Sequence, residues 1–251
     1  MRMEYVLDDG GMNLLSSSAL RHIRIILDEV KDLPSRHGGR SFAVSAAHDD
    51  TGLFVFRSGR PGLFAAGADM AEMQRFTPME ACEFARLGQE TFATIERLPC
   101  LTVALIDGDC FGGALDLVLA FDFRFATPRA RFAHPGARLG IVTGFGGTSR
   151  WRRVISRRAA NQLFLANRVL SASDALAMGL VDRVAESHEE ELARLEMLAP
   201  RMAKVKELAI YGDALTREEL LLLTRRLMQS AEAEQRHRGQ TSGESDRRHG
   251  G

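Results

Sequence analysis

After a serine triplet, Ser16-Ser17-Ser18, apolar residues recur every three to four positions at Leu20, Ile23, Ile26 and Val30. The serines offer side-chain oxygens to the first unpaired N–H groups, so the pattern predicts an amphipathic helix stopped by Pro34. Residues 41–46 and 53–56 are short β-prone runs, and Ser58-Gly59-Arg60-Pro61-Gly62 breaks the chain before Leu63-Phe64. Asp69 and Glu72 have capping-box spacing and predict a short helix, followed by a second over 79 to about 98, ahead of Pro99. Residues 101–106 read as a buried strand. Beyond Asp107-Gly108-Asp109, the Gly112-Gly113 pair opens an apolar helix over 114–120, interrupted by Asp116, and 121–126 reads as strand again. This alternation predicts an α/β domain with largely parallel strands, whose sites form where loops leave strand ends.

Beyond Gly144-Phe145-Gly146-Gly147 helices dominate, over 148–156, 158–166, 173–178, 189–207 and 216–234. The stripes Leu192, Leu195, Leu198 and Leu220, Leu221, Leu227 need a partner surface. Residues 236–251 are polar and without large apolar side chains, the composition of a disordered tail. The chain thus divides into a core over 1–186, a separate helical region over 187–238 and a tail over 239–251.

Composition narrows the function. With 251 residues, 45% of them hydrophobic and 26% charged, the chain can bury one large core and a smaller appendage. Lys+Arg and Asp+Glu are both 33, so no global field favours nucleic acid or an anionic membrane. Phosphate binding has to be local. The lysines are Lys31, Lys204 and Lys206; the other basic residues are the fork-shaped arginines. Trp151 with Arg150, Arg152 and Arg153 reads as a solvated helix face rather than a nucleic-acid contact. Cys82, Cys100 and Cys110 lie outside any C-x-x-C spacing, which points away from disulfides and thiolate zinc and toward a reducing compartment. No run reaches the roughly 20 apolar residues of a membrane span. Met1-Arg2-Met3-Glu4 also lacks a long apolar stretch, so the expected location is cytoplasmic.

Four motifs sharpen this. Phe64-Ala65-Ala66-Gly67-Ala68-Asp69-Met70-Ala71-Glu72-Met73 resembles the first signature of the crotonase (enoyl-CoA hydratase/isomerase) family, and Asp107-Gly108-Asp109-Cys110-Phe111-Gly112-Gly113-Ala114-Leu115-Asp116 the second. Phe132-Ala133-His134-Pro135-Gly136-Ala137-Arg138-Leu139-Gly140, continuing to Gly146-Gly147-Thr148, is similar to the next block, as is Ala175-Leu176-Ala177-Met178-Gly179-Leu180-Val181-Asp182. The order is right, and the resemblance runs from about Leu14 to Val184. It implies a ClpP-like crotonase fold, a spiral of strand-strand-helix repeats, with terminal helices that build a homotrimer or a dimer of trimers. The implied substrate is an acyl-CoA thioester. No metal or redox cofactor is implied, since coenzyme A enters as part of the substrate.

The same resemblance assigns the oxyanion hole to the N–H groups of Ala68 and Gly113, with substrate or CoA contacts from Ala65, Ala66, Asp69, Met70 and Ala71. Gly112, His134 and Phe145 complete the set, Phe145 near the acyl group. Bland readings stand beside these: Asp69 is first a helix cap, and Met70 with Met73 has the spacing of ordinary core. Gly144-Phe145-Gly146-Gly147 is no dinucleotide fingerprint.

Physics supports the assignment. Enolate chemistry needs donors aimed at the oxygen where charge grows, and losing one costs about 3–4 kcal/mol. Ala68 and Gly113 each precede a helix, whose positive end favours an oxyanion. Asp116, three residues after Gly113, shares a face with it and is the leading acid/base group. Hydratases of the family carry glutamate here, longer by roughly 1.5 Å of reach; dienoyl-CoA isomerases use aspartate. At position 136 hydratases and simple isomerases keep a second glutamate. Gly136 cannot transfer a proton, whereas adding water asks for two proton-handling groups. On an extended path over 132–136, His134 projects to the same side and offers a base near neutrality. Two rival functions follow: a diverged crotonase performing decarboxylation, thioester hydrolysis or C–C chemistry, and a catalytically silent acyl-CoA-binding protein.

Overall fold

Exposure alternates along Arg2–Leu7, which forms an edge strand, β1. It pairs in parallel with β3 (Leu53–Ser58), from Arg2 against Leu53 to Leu7 against Ser58. In this computed structural model residues 2–32 and 52–211 are described. The predicted strand over 41–46, the helix over 216–234 with its leucine stripe, and the tail lie outside the described residues.

Next to β3 come β6 (Leu101–Ile106), β8 (Phe123–Ala126) and β11 (Arg183–Val184), all parallel. The first four residues of β3 and of β6 are buried, as expected for a parallel sheet covered on both faces. A second sheet holds β4 (Gly62–Ala65), β7 (Gly108–Phe111) and β9 (Arg131–Ala133) in parallel, with β10 (Leu170–Ser171) antiparallel at its edge. The pairs β3–β4, β6–β7 and β8–β9 each give one strand to each sheet before the chain turns helical. That is the spiral of strand-strand-helix units expected above. The short strands β2 (Leu14–Leu15) and β5 (Gly67–Ala68) pair in parallel as a separate two-stranded sheet.

Helix α1 (Ser17–Asp32) starts as predicted, with the Ser16 hydroxyl oxygen accepting from the Ala19 N–H at 3.1 Å and Leu20, Ile23, Leu27 and Val30 buried. At α2 (Met70–Met73) the predicted capping box is only half made. Asp69 accepts from the N–H groups of Ala71 and Glu72, both at 3.0 Å. Glu72 does not reach back; its carboxylate accepts from Ser17 at 2.8 Å, because the Asp69 N–H is committed to the Leu15 carbonyl across β2. The complete box belongs to α3 (Pro78–Glu96), where Thr77 and Glu80 cap each other and proline takes the first turn.

Then follow α4 (Gly113–Val118), α5 (Gly147–Val154), α6 (Arg157–Ala160), α7 (Ala172–Ala177) and α8 (Glu189–Tyr211). The single helix expected over 158–166 is α6 followed by one π-helical turn, Asn161–Leu165. Arg150 departs from the solvated basic face: it is buried, bonding the Phe145 carbonyl at 2.8 Å and Glu96 at 3.0 Å. Helix α8 does not stand apart. Its Leu192, Leu195 and Ala199 pack on Leu53, Val55, Leu101, Val103 and Phe125, while the Lys206 ammonium reaches Asp122 at 2.8 Å and the Cys100 carbonyl at 2.9 Å. The main core lies on the other side, around Phe56, Phe64, Phe92 and Phe132.

Candidate active site

Two consecutive turns of the spiral deliver the backbone of the site. The Asp69 N–H goes to Leu15 at 3.3 Å; adjacent N–H groups of an extended segment point to opposite sides, so that of Ala68 faces away from β2. On that side lies Gly113. A Cβ placed on Gly113 would stand 3.2 Å from the Ala68 nitrogen, and one on Gly67 would stand 3.1 Å from the Gly113 nitrogen and 2.6 Å from the Phe111 carbonyl. Gly67, with φ 103°, has no room for a side chain against the Phe111 carbonyl, and at Gly113 one would crowd the Ala68 nitrogen and the Phe145 ring. Gly112 turns β7 into α4 with φ 55° and ψ −124°, a conformation open in practice to glycine. Gly113 is then the first helical residue, where N–H groups have no acceptor within the helix.

Asp116 sits in the first turn of α4 and is 1% exposed. The Thr143 hydroxyl donates to its Oδ2. Its Oδ1 has no hydrogen-bond partner among the described residues and lies 3.6 Å from Nε2 of His134, which is likewise unpartnered. At the start of α5, a Cβ on Gly147 would fall 1.8 Å from Oδ1, so the carboxylate occupies the space of that missing side chain. Cys110 is fully buried nearby: burial pushes its thiol well above the usual range, with Asp116 and Asp109 adding to the effect, which keeps it a neutral thiol.

The extended path expected over 132–136 ends at Ala133. Gly136 is helical (φ −52°, ψ −50°) and leads into a 3-10 turn, Ala137–Leu139, because its carbonyl accepts from Leu139 and Ile141. His134 arrives by this turn rather than by strand alternation. A Cβ on Gly136 would stand 3.0 Å from both Cε1 and Nδ1 of His134 and 2.7 Å from the Ile141 carbonyl. The imidazole, 6% exposed, also lies on the Phe164 ring at 4.9 Å.

The remaining sequence candidates scatter around this centre. Ala65 is buried and Ala66 partly so; Asp69 caps α2, Met70 is 38% exposed and Ala71 is exposed, while Met73 packs on the core. Phe145 is buried edge-on to Phe84 and Phe92, and a Cβ on Gly113 would come within 2.9 Å of its ring, so it walls the site behind one N–H donor. Sequence reasoning missed Thr143, which carried no signal, and the role of Gly147, which was visible only as part of a motif. Beside Asp69 a hollow of about 410 Å³ opens between β1 and α1, edged by Asp8, Asp9 and His22.

The profile described as Enoyl-CoA hydratase/isomerase matches residues 41–250. A crotonyl-CoA hydratase of Syntrophomonas wolfei is 38% identical over 170 residues, 67% of this chain and 65% of that protein. The chain therefore spans just under two thirds of that relative's length. A short-chain-enoyl-CoA hydratase of Clostridium acetobutylicum is 31% identical over 206 residues, 79% of this chain and 73% of its own. Among solved structures, an enoyl-CoA hydratase from Bacillus anthracis superposes with a TM-score of 0.76 at 23% identity, covering 98% of this chain and 93% of that one, a likeness of fold. With the spiral topology, the ordered motifs and these matches together, the chain belongs to the enoyl-CoA hydratase/isomerase family, the crotonases.

Proposed function

We propose that this protein acts on an acyl-CoA thioester, holding the enolate oxygen between the N–H groups of Ala68 and Gly113 and moving a proton with Asp116, in a reaction of the enoyl-CoA hydratase/isomerase type. One observation carries the reading: the backbone at Ala68 and that at Gly113 approach so closely that a Cβ on Gly113 would stand 3.2 Å from the Ala68 nitrogen, and the helix that opens at Gly113 holds a buried carboxylate with one oxygen unengaged among the described residues. Oriented main-chain donors of this kind need no reorganisation as charge develops. Phe145 excludes water behind them. Short enoyl thioesters are the first substrates to try, after the name of the Syntrophomonas relative. The reading invokes no metal or redox group, coenzyme A being part of the substrate.

The bare Gly136 favours a second reading, a diverged crotonase that uses the same oxyanion hole for decarboxylation, thioester hydrolysis or C–C cleavage. A spectrophotometric and mass-spectrometric screen against enoyl, dienoyl, β-keto and malonyl-type CoA thioesters separates the two. Expected is turnover of an enoyl thioester, with Asp116→Asn binding it normally but turning over at least about 100-fold more slowly. Turnover confined to the other classes establishes the second reading; no turnover in either form leaves a silent acyl-CoA-binding protein. The proposed assembly is a homotrimer or a dimer of trimers. The proposed setting is the reducing cytoplasm, which suits three free thiols, of which Cys100 and Cys110 are buried. No helix among the described residues is long and apolar enough to cross a membrane.

A further inference from the structure

We infer that His134 and Asp116 form one proton-sharing pair, and that the imidazole supplies the second proton-handling group which position 136 lacks; this rests on the thioester reading above. Nε2 of His134 and Oδ1 of Asp116 face each other at 3.6 Å, with side chains 7% and 1% exposed, and neither atom has another partner among the described residues. Leaving two buried polar atoms unpaired is costly, and a proton on Nε2 directed at Oδ1 satisfies both. The separation is slightly beyond hydrogen-bond length. Catalytic hydrogen bonds commonly reach their shortest length only in the substrate complex.

The surroundings select this pairing. Thr143 occupies Oδ2, which leaves Oδ1 for the ring. Phe164 supports the imidazole from another side. Cys110, a further titratable group against Asp116, is a neutral thiol and offers no competing charge. Most telling is Gly136, whose Cβ would abut Cε1 and Nδ1 of the ring. The imidazole occupies the ground that a side chain at 136 would need, so the missing carboxylate and the inward histidine are two aspects of one packing arrangement.

The pair closes the proton balance of water addition. The water oxygen bonds to the β-carbon of the enoyl thioester while the C=C π pair shifts through the α-carbon onto the thioester oxygen, held by the two N–H groups. One water proton passes to the His134–Asp116 pair. The enolate collapses, the α-carbon takes a proton from the pair, and the pair returns to its initial state. One O–H bond and the C=C π bond have broken, one C–O and one C–H bond have formed, and no co-reactant is consumed.

The test uses the full-length protein labelled with 15N-histidine. Expected is a slowly exchanging proton on Nε2 of His134 in the wild type, lost in Asp116→Ala. A bare Nε2 in the wild-type spectrum overturns the pair, whatever the catalytic activity, and so does an Nε2 proton unaffected by a folded Asp116→Ala. A kinetic arm adds His134→Gln with crotonyl-CoA: kcat falls about 10²- to 10⁴-fold with KM little changed. An unchanged kcat in a variant that folds by circular dichroism also overturns the inference, while leaving the thioester reading intact. If the wild type turns over no thioester, it is that reading which fails, and the nitrogen spectrum still decides the pair.

Discussion

The carboxylate of Asp116 is positioned by what its neighbours lack. Gly147 has no Cβ to contest Oδ1 and Gly136 none to contest the His134 ring. Gly147→Ala is therefore expected to swing the carboxylate out of place. Its cost is about 1–3 kcal/mol of overpacking and, more tellingly, a fall in kcat comparable to that of Asp116→Asn; chemical denaturation and steady-state kinetics on one preparation measure both. Full activity in Gly147→Ala would place the working conformation of Asp116 elsewhere. At this scale the sequence was informative where chemistry depends on residue type and spacing. Asp116, Ala68 and Gly113 could be named from their motifs. Thr143 could not, because a threonine in a loop has no periodicity to mark it, and Arg150 looked solvated because nothing local reveals that Glu96 and the Phe145 carbonyl wait for it.

Elements are held in place by polar anchors as well as by apolar stripes. The loop from β1 to β2 folds around Asp9, where burial pushes the carboxyl up but the N–H groups of Asn13, Gly11 and Leu14 outweigh it and hold it below its usual range. Asn13, fully buried with φ 50°, then donates to Leu7, Ser58 and Phe64, tying β1, β3 and β4 together. At the head of α8, His188 bonds the Ala126 carbonyl at 3.0 Å through Nε2 and stacks on Phe125. Its buried Nδ1 has no partner among the described residues. Burial pushes the imidazole below 6.5, Arg183 acts the same way, and the bond to Ala126 opposes them. The unfolded chain thus takes up the proton more readily than the folded one. His188 stabilises the fold above pH 6.5, and this contribution is lost as the pH falls through the lower folded-state value. Urea titrations of wild type and His188→Gln across that range should show the variant with a flatter acid limb; parallel curves would remove His188 from the account. Helix α1 was legible from its serines and apolar stripe and α3 from the run that ends ahead of Pro99, although its Thr77 cap was not foreseen. The two-residue strands β2, β5, β10 and β11 were not, since pairing partners distant in sequence create them.

For the whole molecule, alternation of strand and helix predicted the α/β class, and the motifs supplied the spiral. What the pattern could not give was the docking of α8, because a helix seeking a surface does not say which one. Its Leu192 and Leu195 found the sheet within the chain, while Leu139, Val142, Leu165 and Val169 remain between 54% and 80% exposed. Those side chains support the proposed assembly. Sedimentation equilibrium is expected to return three or six times the chain mass of 27.7 kDa; a monomer at micromolar concentration excludes it.

In the sheet that carries the site, β4 slips register between Leu63 and Ala65, and this slip sets Ala65 opposite Cys110. Counting three residues onward along each chain arrives at Ala68 and Gly113. The gap across which an enolate would be gripped is thus a property of strand alignment, fixed when the second turn of the spiral zips onto the first. A lineage drifting in sequence can exchange nearly every side chain around the pocket and keep the grip, whereas an insertion or deletion of one residue between the slip and either donor abolishes it.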